Sequence, residues 1–368
     1  MTPLSALQLQ QKISQGEIIA GLVLDPAQLT GVTLRGAIFN DVVFIRPDFS
    51  RRQLEDVLFD GCRLEDAGFA GGAIDGCRFN RCSLGRANFA GCTLKSSVFN
   101  HCDLTRGGFG GAALTETQFL QCPLDGALFE HGVMEKVTLF KTTLANARLQ
   151  DCRISQTTLF DADLQATLLT GNNIDRTIFA GCDHRNNDYR GQRFTGCQFT
   201  DNAMDNVNFG QSNLTGSCFK GASLRDARLD GVRSAQALFI DSDLRRARAR
   251  RGCFDQSQFI GADLRQADFS HSSLVQAMLH YARAGGCRLA ACDLTYADFS
   301  WSDISAADLR QARFLRTRMH RARRRDTLFS TDQGILARDE ALFAAEEWTR
   351  LRQPGPPTYQ YPRETDYD

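Results

Sequence analysis

The 368-residue chain contains no run of 18 apolar residues, so no membrane-spanning helix is expected. No basic segment followed by an apolar stretch opens it, so no secretory signal peptide is expected. The chain therefore reads as cytoplasmic, or as secreted without a cleavable signal. It has no surplus charge either. Its 43 Lys+Arg balance 43 Asp+Glu, and the total points to no class of partner. The sequences G-x-S-x-G, Walker and H-E-x-x-H are missing. Thirteen cysteines are present without one C-x-x-C pair. These absences speak against an enzyme, and they leave no catalytic, cofactor-binding or metal-ligating residue to nominate.

What is present is a period of five. Leu24, Leu29, Leu34, Phe39, Phe44 and Phe49 begin a series that ends with Phe299, Ile304, Leu309, Phe314, Met319 and Phe329. Of its 62 positions only His184, Ser234, Ala249, Ala284 and Arg324 lack a large apolar side chain. A helix repeats near 3.6 and a half-buried strand at 2, so a strict five is neither. It marks a repeat architecture. Two residues before each bulky position the side chain is usually small, as at Ala67, Cys77, Cys82, Ala87, Cys92 and Ser97. Asp or Asn often lies between, as in Ala262-Asp263-Leu264 and Ala297-Asp298-Phe299.

This pattern closely resembles the A-(D/N)-L-x-x motif of the pentapeptide-repeat family, over residues 24–329. The resemblance implies an all-β solenoid, a right-handed quadrilateral β-helix with four pentapeptides per coil. The Phe pattern supports four faces independently. Nineteen of the 26 Phe fall at positions ending in 9, and positions ending in 4 are mostly Leu or Ile. That alternation suits a square section with Phe on two opposite faces. Coils about 4.8 Å apart would make a rod roughly 75 Å long.

Cysteine fits the same scheme. Eleven of the thirteen occupy the small inward position, and Cys218 and Cys253 lie one residue later. They read as small buried hydrophobes, and so many free thiols suit a reducing compartment. His101, His131 and His271 fall at outward slots. His280 and His320 are two coils apart, roughly 10 Å, too far to share a metal. The Asp residues before bulky positions read as turn formers.

The unbroken register makes 24–329 one elongated domain. Residues 1–23 form an N-terminal cap helix and lead-in, with Ser5 and Gln8 at capping-box spacing. Residues 330–352 are expected to form a C-terminal cap helix starting at Asp332, with Ile335, Leu342, Ala345 and Trp348 as its apolar stripe. Residues 353–368 are a Pro/Tyr-rich tail. Two irregular zones stand out. Pro47 and Arg52 take small inward slots, so distortion is expected near 46–53. His184, Asn187 and Gln192 put polar groups inside at 182–192, either satisfied by neighbouring backbone or forming a functional notch.

The surface charge is uneven. Residues 225–325 carry 19 Lys+Arg against 11 Asp+Glu, and 326–368 carry 4 against 9. Arg225, Arg245 and Arg265 are 20 apart and form a ladder. Arg245, Arg246 and Arg248 crowd one coil with Arg250 and Arg251. Arg316, Arg318, Arg321, Arg323, Arg324 and Arg325 crowd the last. These two groups are the candidate interaction surface; a solvated face, a phosphate-rich or acidic partner, and the chain's own acidic tail are its alternative readings.

A long rod without a pocket presents surface, which suits a protein-interaction scaffold. Ile13-Ser14-Gln15-Gly16-Glu17-Ile18-Ile19-Ala20-Gly21-Leu22 resembles the I-x-x-G-E-x-x-x-G lead-in of pentapeptide-repeat segments encoded beside bacterial type VI secretion genes. That resemblance implies an accessory or adaptor role, with secretion-spike or effector proteins as partners. A secreted effector is an alternative. Other members of the family mimic B-form DNA and bind DNA gyrase through an acidic face and a C-terminal dimer helix. This chain departs from them in being neutral, longer and basic toward its C-terminus, although a homodimer through the C-terminal helix stays open.

Overall fold

The computed structural model describes residues 4–352; the 353–368 tail lies outside the described residues. The chain is a parallel β-solenoid of about 16 turns. Residues 20 apart pair in register from Ile18↔Ile38 onward, as in Phe59↔Phe79 and Phe79↔Phe99. Every fifth side chain points in and is almost fully buried from Ile19 to Met319. The residue two past each bulky one turns the corner in left-handed backbone, for example Asp66, Arg86 and Arg106 at φ 57°, 59° and 56°. The Asp before the bulky residue stabilises the turn. Asp103 Oδ1 accepts from Thr105 N–H at 2.9 Å, and Asp263 Oδ1 from Arg265 N–H at 3.2 Å.

The expected Phe columns are present. Phe69, Phe89 and Phe109 stack at 4.6 and 4.8 Å between centroids, and Phe59, Phe79 and Phe99 at 4.9 and 4.7 Å. The two columns meet edge to face, Phe89 on Phe99 at 5.8 Å and 88°. Both geometries are favourable for ring quadrupoles.

The corners are of two kinds, and this explains the cysteines better than size alone. Corners after Leu64 and Phe69 close with a backbone hydrogen bond, Ala67 N to Leu64 O and Gly72 N to Phe69 O. At corners such as the one after Phe59 the carbonyl is instead taken by a side chain one coil on. Cys82 Sγ donates to Phe59 O at 3.4 Å, Cys102 Sγ to Phe79 O at 3.1 Å and Cys122 Sγ to Phe99 O at 3.4 Å. Ser97 and Thr117 do the same with hydroxyls. Ala or Gly fills the inward slot at closed corners such as those of Ala67, Gly72, Ala87 and Gly107, and Cys82, Ser97, Cys102, Thr117 and Cys122 supply donors at open ones, whereas Cys92 lies at a closed corner and Val57 and Val137 at open ones. Burial pushes the Cys77, Cys152 and Cys182 thiols up to about 11, which makes them unreactive. Accordingly, Cys102→Ser should leave the thermal midpoint nearly unchanged. Cys102→Ala should cost about 1 kcal/mol, the worth of one hydrogen bond. Equal midpoints for the two variants would remove the donor role.

Both ends differ from the sequence expectation. The ladder begins at Ile18, one side before Leu24, and α1 (Ala6–Ser14) lies over it with Leu9 and Ile13 buried. Its N-cap is Ser5, in a capping box with Gln8. A four-residue helix, α2 (Pro26–Leu29), replaces one side of the first coil. The zone near 46–53 keeps register. Pro47 is buried and Arg52 extends back so that its Nη2 donates to Leu29 O at 2.7 Å. At the other end Asp332 does not open a helix. Ile335–Leu336 pair with Thr317–Arg318 as one more strand, and the helix α3 (Glu340–Arg352) starts eight residues later. Asp339 supplies the cap, its Oδ1 accepting from Leu342 N–H at 3.0 Å. The sequence stripe counted Ile335 as helical because its spacing to Leu342 suits a helix, but the solenoid's exposed edge recruits it first.

The polar zone at 182–192 is a buried network. His184 Nδ1 and Asn187 Nδ2 both reach the Tyr189 hydroxyl, at 2.8 and 2.7 Å, and Asn187 also donates to Leu164 O. Asn202 is held by Cys182 N–H and Phe179 O, so its amide donates to His184 Nε2 at 3.4 Å, which places the imidazole proton on Nδ1. Side chains thus do much of the work expected of the backbone, while the Gln192 amide has no partner among the described residues. All of these side chains are buried, so the network is part of the core, and Asn186, Asn187 and Asp188 border a shallow depression on the outer surface.

Candidate interaction face

The four-sided coil decides which arginines share a face. Arg246 stands at one corner, at φ 59°, Arg248 and Arg250 follow at alternate residues along the side, and Arg251 stands at its far corner, at φ 54°. Arg228 lies one coil before Arg248 in the same column, and Arg288 two coils after. Their neighbours are small or polar, among them Asn206, Asn208, Gly231, Gln266, Ser270 and Gly286. The tall arginines therefore stand over three shallow depressions of about 530, 600 and 640 Å³, and Arg248 borders all three.

Carboxylates one coil away hold these guanidiniums in place. Arg246 makes a two-pronged contact with Asp226 at 2.8 and 2.6 Å, and Arg250 Nε lies 2.7 Å from Asp268. The hydrogen bonds from Arg246 hold the Asp226 carboxyl below its usual value. Burial would raise Asp268, but hydrogen bonds from Arg250 and Ser270 more than offset it, so it too is lowered. Arg248 is different: its carboxylate neighbour is Asp230, 4.0 Å away, and its side chain is 54% exposed. The face is a surplus of arginines with two of them pre-oriented and the central one loosely held.

Arg245 precedes the corner at Arg246 and belongs to the preceding face. There the Arg225, Arg245 and Arg265 ladder exists, interleaved with Asp243 and Asp263. Arg225 and Arg245 contact Asp243 at 2.6 and 2.8 Å, and Arg265 contacts Asp263 at 2.8 Å. Asp263 is nearly buried beneath them. Each arginine of this ladder is paired with a carboxylate, which the 20-residue spacing of its cations did not reveal. The same spacing applied to Arg228, Arg248 and Arg288 would have found members of the Arg248 face that counting within one coil missed.

The C-terminal arginines are dispersed. Arg316 and Arg318 lie on one side, Arg321 at a corner, and Arg323, Arg324 and Arg325 on the next side, all exposed. Arg324 stands at a core slot of the repeat, yet it is exposed. Helix α3 folds back on the corner. Arg321 Nε meets Glu346 at 2.7 Å and its Nη2 meets Glu347 at 2.9 Å. Phe343 sits beneath the guanidiniums of Arg321 and Arg338, at 4.4 and 3.6 Å. His320 Nε2 lies 3.2 Å from Glu346, and His320 Nδ1 accepts from Asp339 N–H. Acidic residues of the cap, within the described chain, thus occupy part of the basic end. Arg321→Glu should place like charges against Glu346 and Glu347 and raise amide exchange across 340–349. Exchange unchanged from wild type would mean that Phe343 alone holds the helix.

A pocket of about 400 Å³ separates the last coils from residues 336–342, lined by His280, Asp298, Trp301, Arg318, His320 and Arg338 among others. Burial would raise Asp298, but hydrogen bonds from His280 and Ser300 hold it down to about 2. The Trp301 ring separates the two imidazoles, at 6.1 and 5.3 Å. Among the described residues no group of three or more His, Cys, Asp or Glu is placed to hold a metal ion, and no helix is long and apolar enough to cross a membrane.

Comparison with known proteins agrees with this architecture. The family description "Pentapeptide repeat region" matches residues 32–109. "Pentapeptide repeats (8 copies)" matches 193–231, 217–256, 257–295, 272–311 and 292–323. No curated protein matches the chain. Among solved structures it is similar to QnrB1, a plasmid-mediated fluoroquinolone resistance protein, at 18% identity over 57% of this chain and 91% of that one, TM-score 0.30. It is also similar to HetL of the cyanobacterium Nostoc sp. strain PCC 7120, involved in heterocyst differentiation regulation, at 15% identity over 90% and 98%, TM-score 0.17. A third is a pentapeptide repeat protein of the Arabidopsis thaliana thylakoid lumen, at 21% identity over 31% and 69%, TM-score 0.22. With its five-residue period, its four-sided coils and matches to the repeat over more than half its length, the chain belongs to the pentapeptide-repeat family.

Proposed function

We propose that this protein is a non-enzymatic interaction scaffold that presents the Arg248 face to an acidic protein partner. The observation that carries the reading is the row Arg246, Arg248, Arg250 and Arg251 on a rigid side, with Asp226 and Asp268 orienting two of its members. Pre-oriented guanidiniums lose little freedom on binding and match carboxylates in pairs. The N-terminal I-x-x-G-E-x-x-x-G lead-in directs the reading further, to an accessory or adaptor protein of a bacterial type VI secretion system. Mimicry of DNA toward gyrase would call for an unbroken acidic stripe, whereas Asp243 and Asp263 are followed in their column by Arg283 and Asp226 is followed by Arg246.

The test is capture of partners by the full chain from its native bacterium, read by mass spectrometry, beside an Arg246→Glu/Arg248→Glu variant. Spike or effector proteins captured by wild type and lost with the variant support the proposal. Gyrase subunits would replace it with mimicry. An identical set on both baits would remove the Arg248 face.

A further inference from the structure

Resting on that reading, we infer that the Arg248 face recognises an extended acidic segment of the partner whose carboxylates fall on alternate residues. The argument is one of register. Arg246 stands at one corner, and Arg248 and Arg250 follow at alternate residues along the side that leads to the next corner, so neighbouring members are spaced by about 6.6 Å, twice the rise of an extended residue. A partner segment laid along that side presents every second side chain at the same interval. The row spans about 13 Å, room for three carboxylates and no more.

The surroundings set this length and direction. Along the solenoid axis the Arg248 column changes sign, running Arg228, Arg248, Asp268, Arg288 and Asp308. A uniform polyanion following the axis would meet Asp268 and then Asp308. A nucleic-acid strand crossing several coils would also meet Asp226 and Asp230. A short segment confined to one coil follows a row that is itself cationic throughout, with Asp226, Asp230 and Asp268 one coil to either side. Asp226 and Asp268 each engage one edge of their arginine, and Arg246, Arg248 and Arg250 keep 51%, 54% and 44% of their side-chain surface open. With five N–H donors per guanidinium, a second carboxylate can be taken without displacing the first. The central Arg248, held only at 4.0 Å, is free to adjust to the incoming group.

The experiment titrates the full chain with a fluorescent peptide alternating Glu and Thr, and with an isomer in which the same Glu are contiguous. The alternating peptide should bind about tenfold or more tightly than the isomer, and Arg248→Glu should weaken it by about the same factor. Arg233→Glu, an exposed change on another face, should leave binding unchanged. Equal binding of the two isomers overturns the register argument, even where partner capture stays sensitive to Arg248. Displacement of the peptide by single-stranded DNA at lower concentration than by unlabelled peptide would assign the face to nucleic acid instead. Tighter peptide binding after Glu364→Gln/Asp366→Asn/Asp368→Asn would make the chain's own terminus the occupant and overturn the assignment to a partner.

Discussion

Phe89→Ala is expected to destabilise the solenoid by about 3–5 kcal/mol, the range for a large aromatic removed from a packed core. Phe89 is wholly buried, stacked between Phe69 and Phe109 and edge-on to Phe99. Its loss leaves three rings facing a void that the rigid corners of the coil cannot close. Because each coil touches only its neighbours, the damage should be local. Hydrogen exchange should rise mainly across the coils holding residues 69, 89 and 109, and the denaturation midpoint should fall. Phe343→Ala, in the partly exposed cap helix, should cost much less. If Phe89→Ala proved as mild as Phe343→Ala, the stacked columns would not be what holds the solenoid.

Acid should destabilise the protein through His184 by about 1.4 kcal/mol per pH unit. Burial of this imidazole, only slightly opposed by Asp183, lowers its folded-state pKa from 6.5 to about 3. The folded state therefore binds fewer protons than the unfolded state between those values. The stabilisation is fully present above pH 6.5 and is lost as the pH falls toward about 3. Protonation would also put a second proton on Nε2, facing the fixed Asn202 amide donor. Urea unfolding of wild type and His184→Leu at pH 7 and pH 4.5 checks this. The wild type should lose about 2–3 kcal/mol more than the variant over that interval. Parallel losses would mean that water reaches the imidazole in the folded chain.

The period of five, held through 62 positions, determined by itself that the chain is one unbroken repeat with an inward bulky side chain per unit, while four units per coil came from the resemblance to the pentapeptide-repeat family and was supported by the ten-residue Phe alternation. It also determined the Phe columns, since a ten-residue alternation on a 20-residue coil can only be two opposite faces. Other features depended on groups that the period does not place. Cysteine reads as a small hydrophobe until the carbonyl freed by an open corner appears above it. His184 reads as an irregularity and Tyr189 as an ordinary bulky position until adjoining sides of one coil bring their polar atoms to 2.8 Å. The C-terminal helix began late because an unpaired strand edge competes for Ile335, a competition that helical spacing alone does not register. The arginines show the division most clearly. Sequence counting found where cations are dense, but the turn of the coil sends Arg245 to a face where aspartates pair with it and leaves Arg248 exposed at the centre of another. Charge density is a property of the chain, whereas a binding face is a property of how four sides and successive coils align their ion pairs.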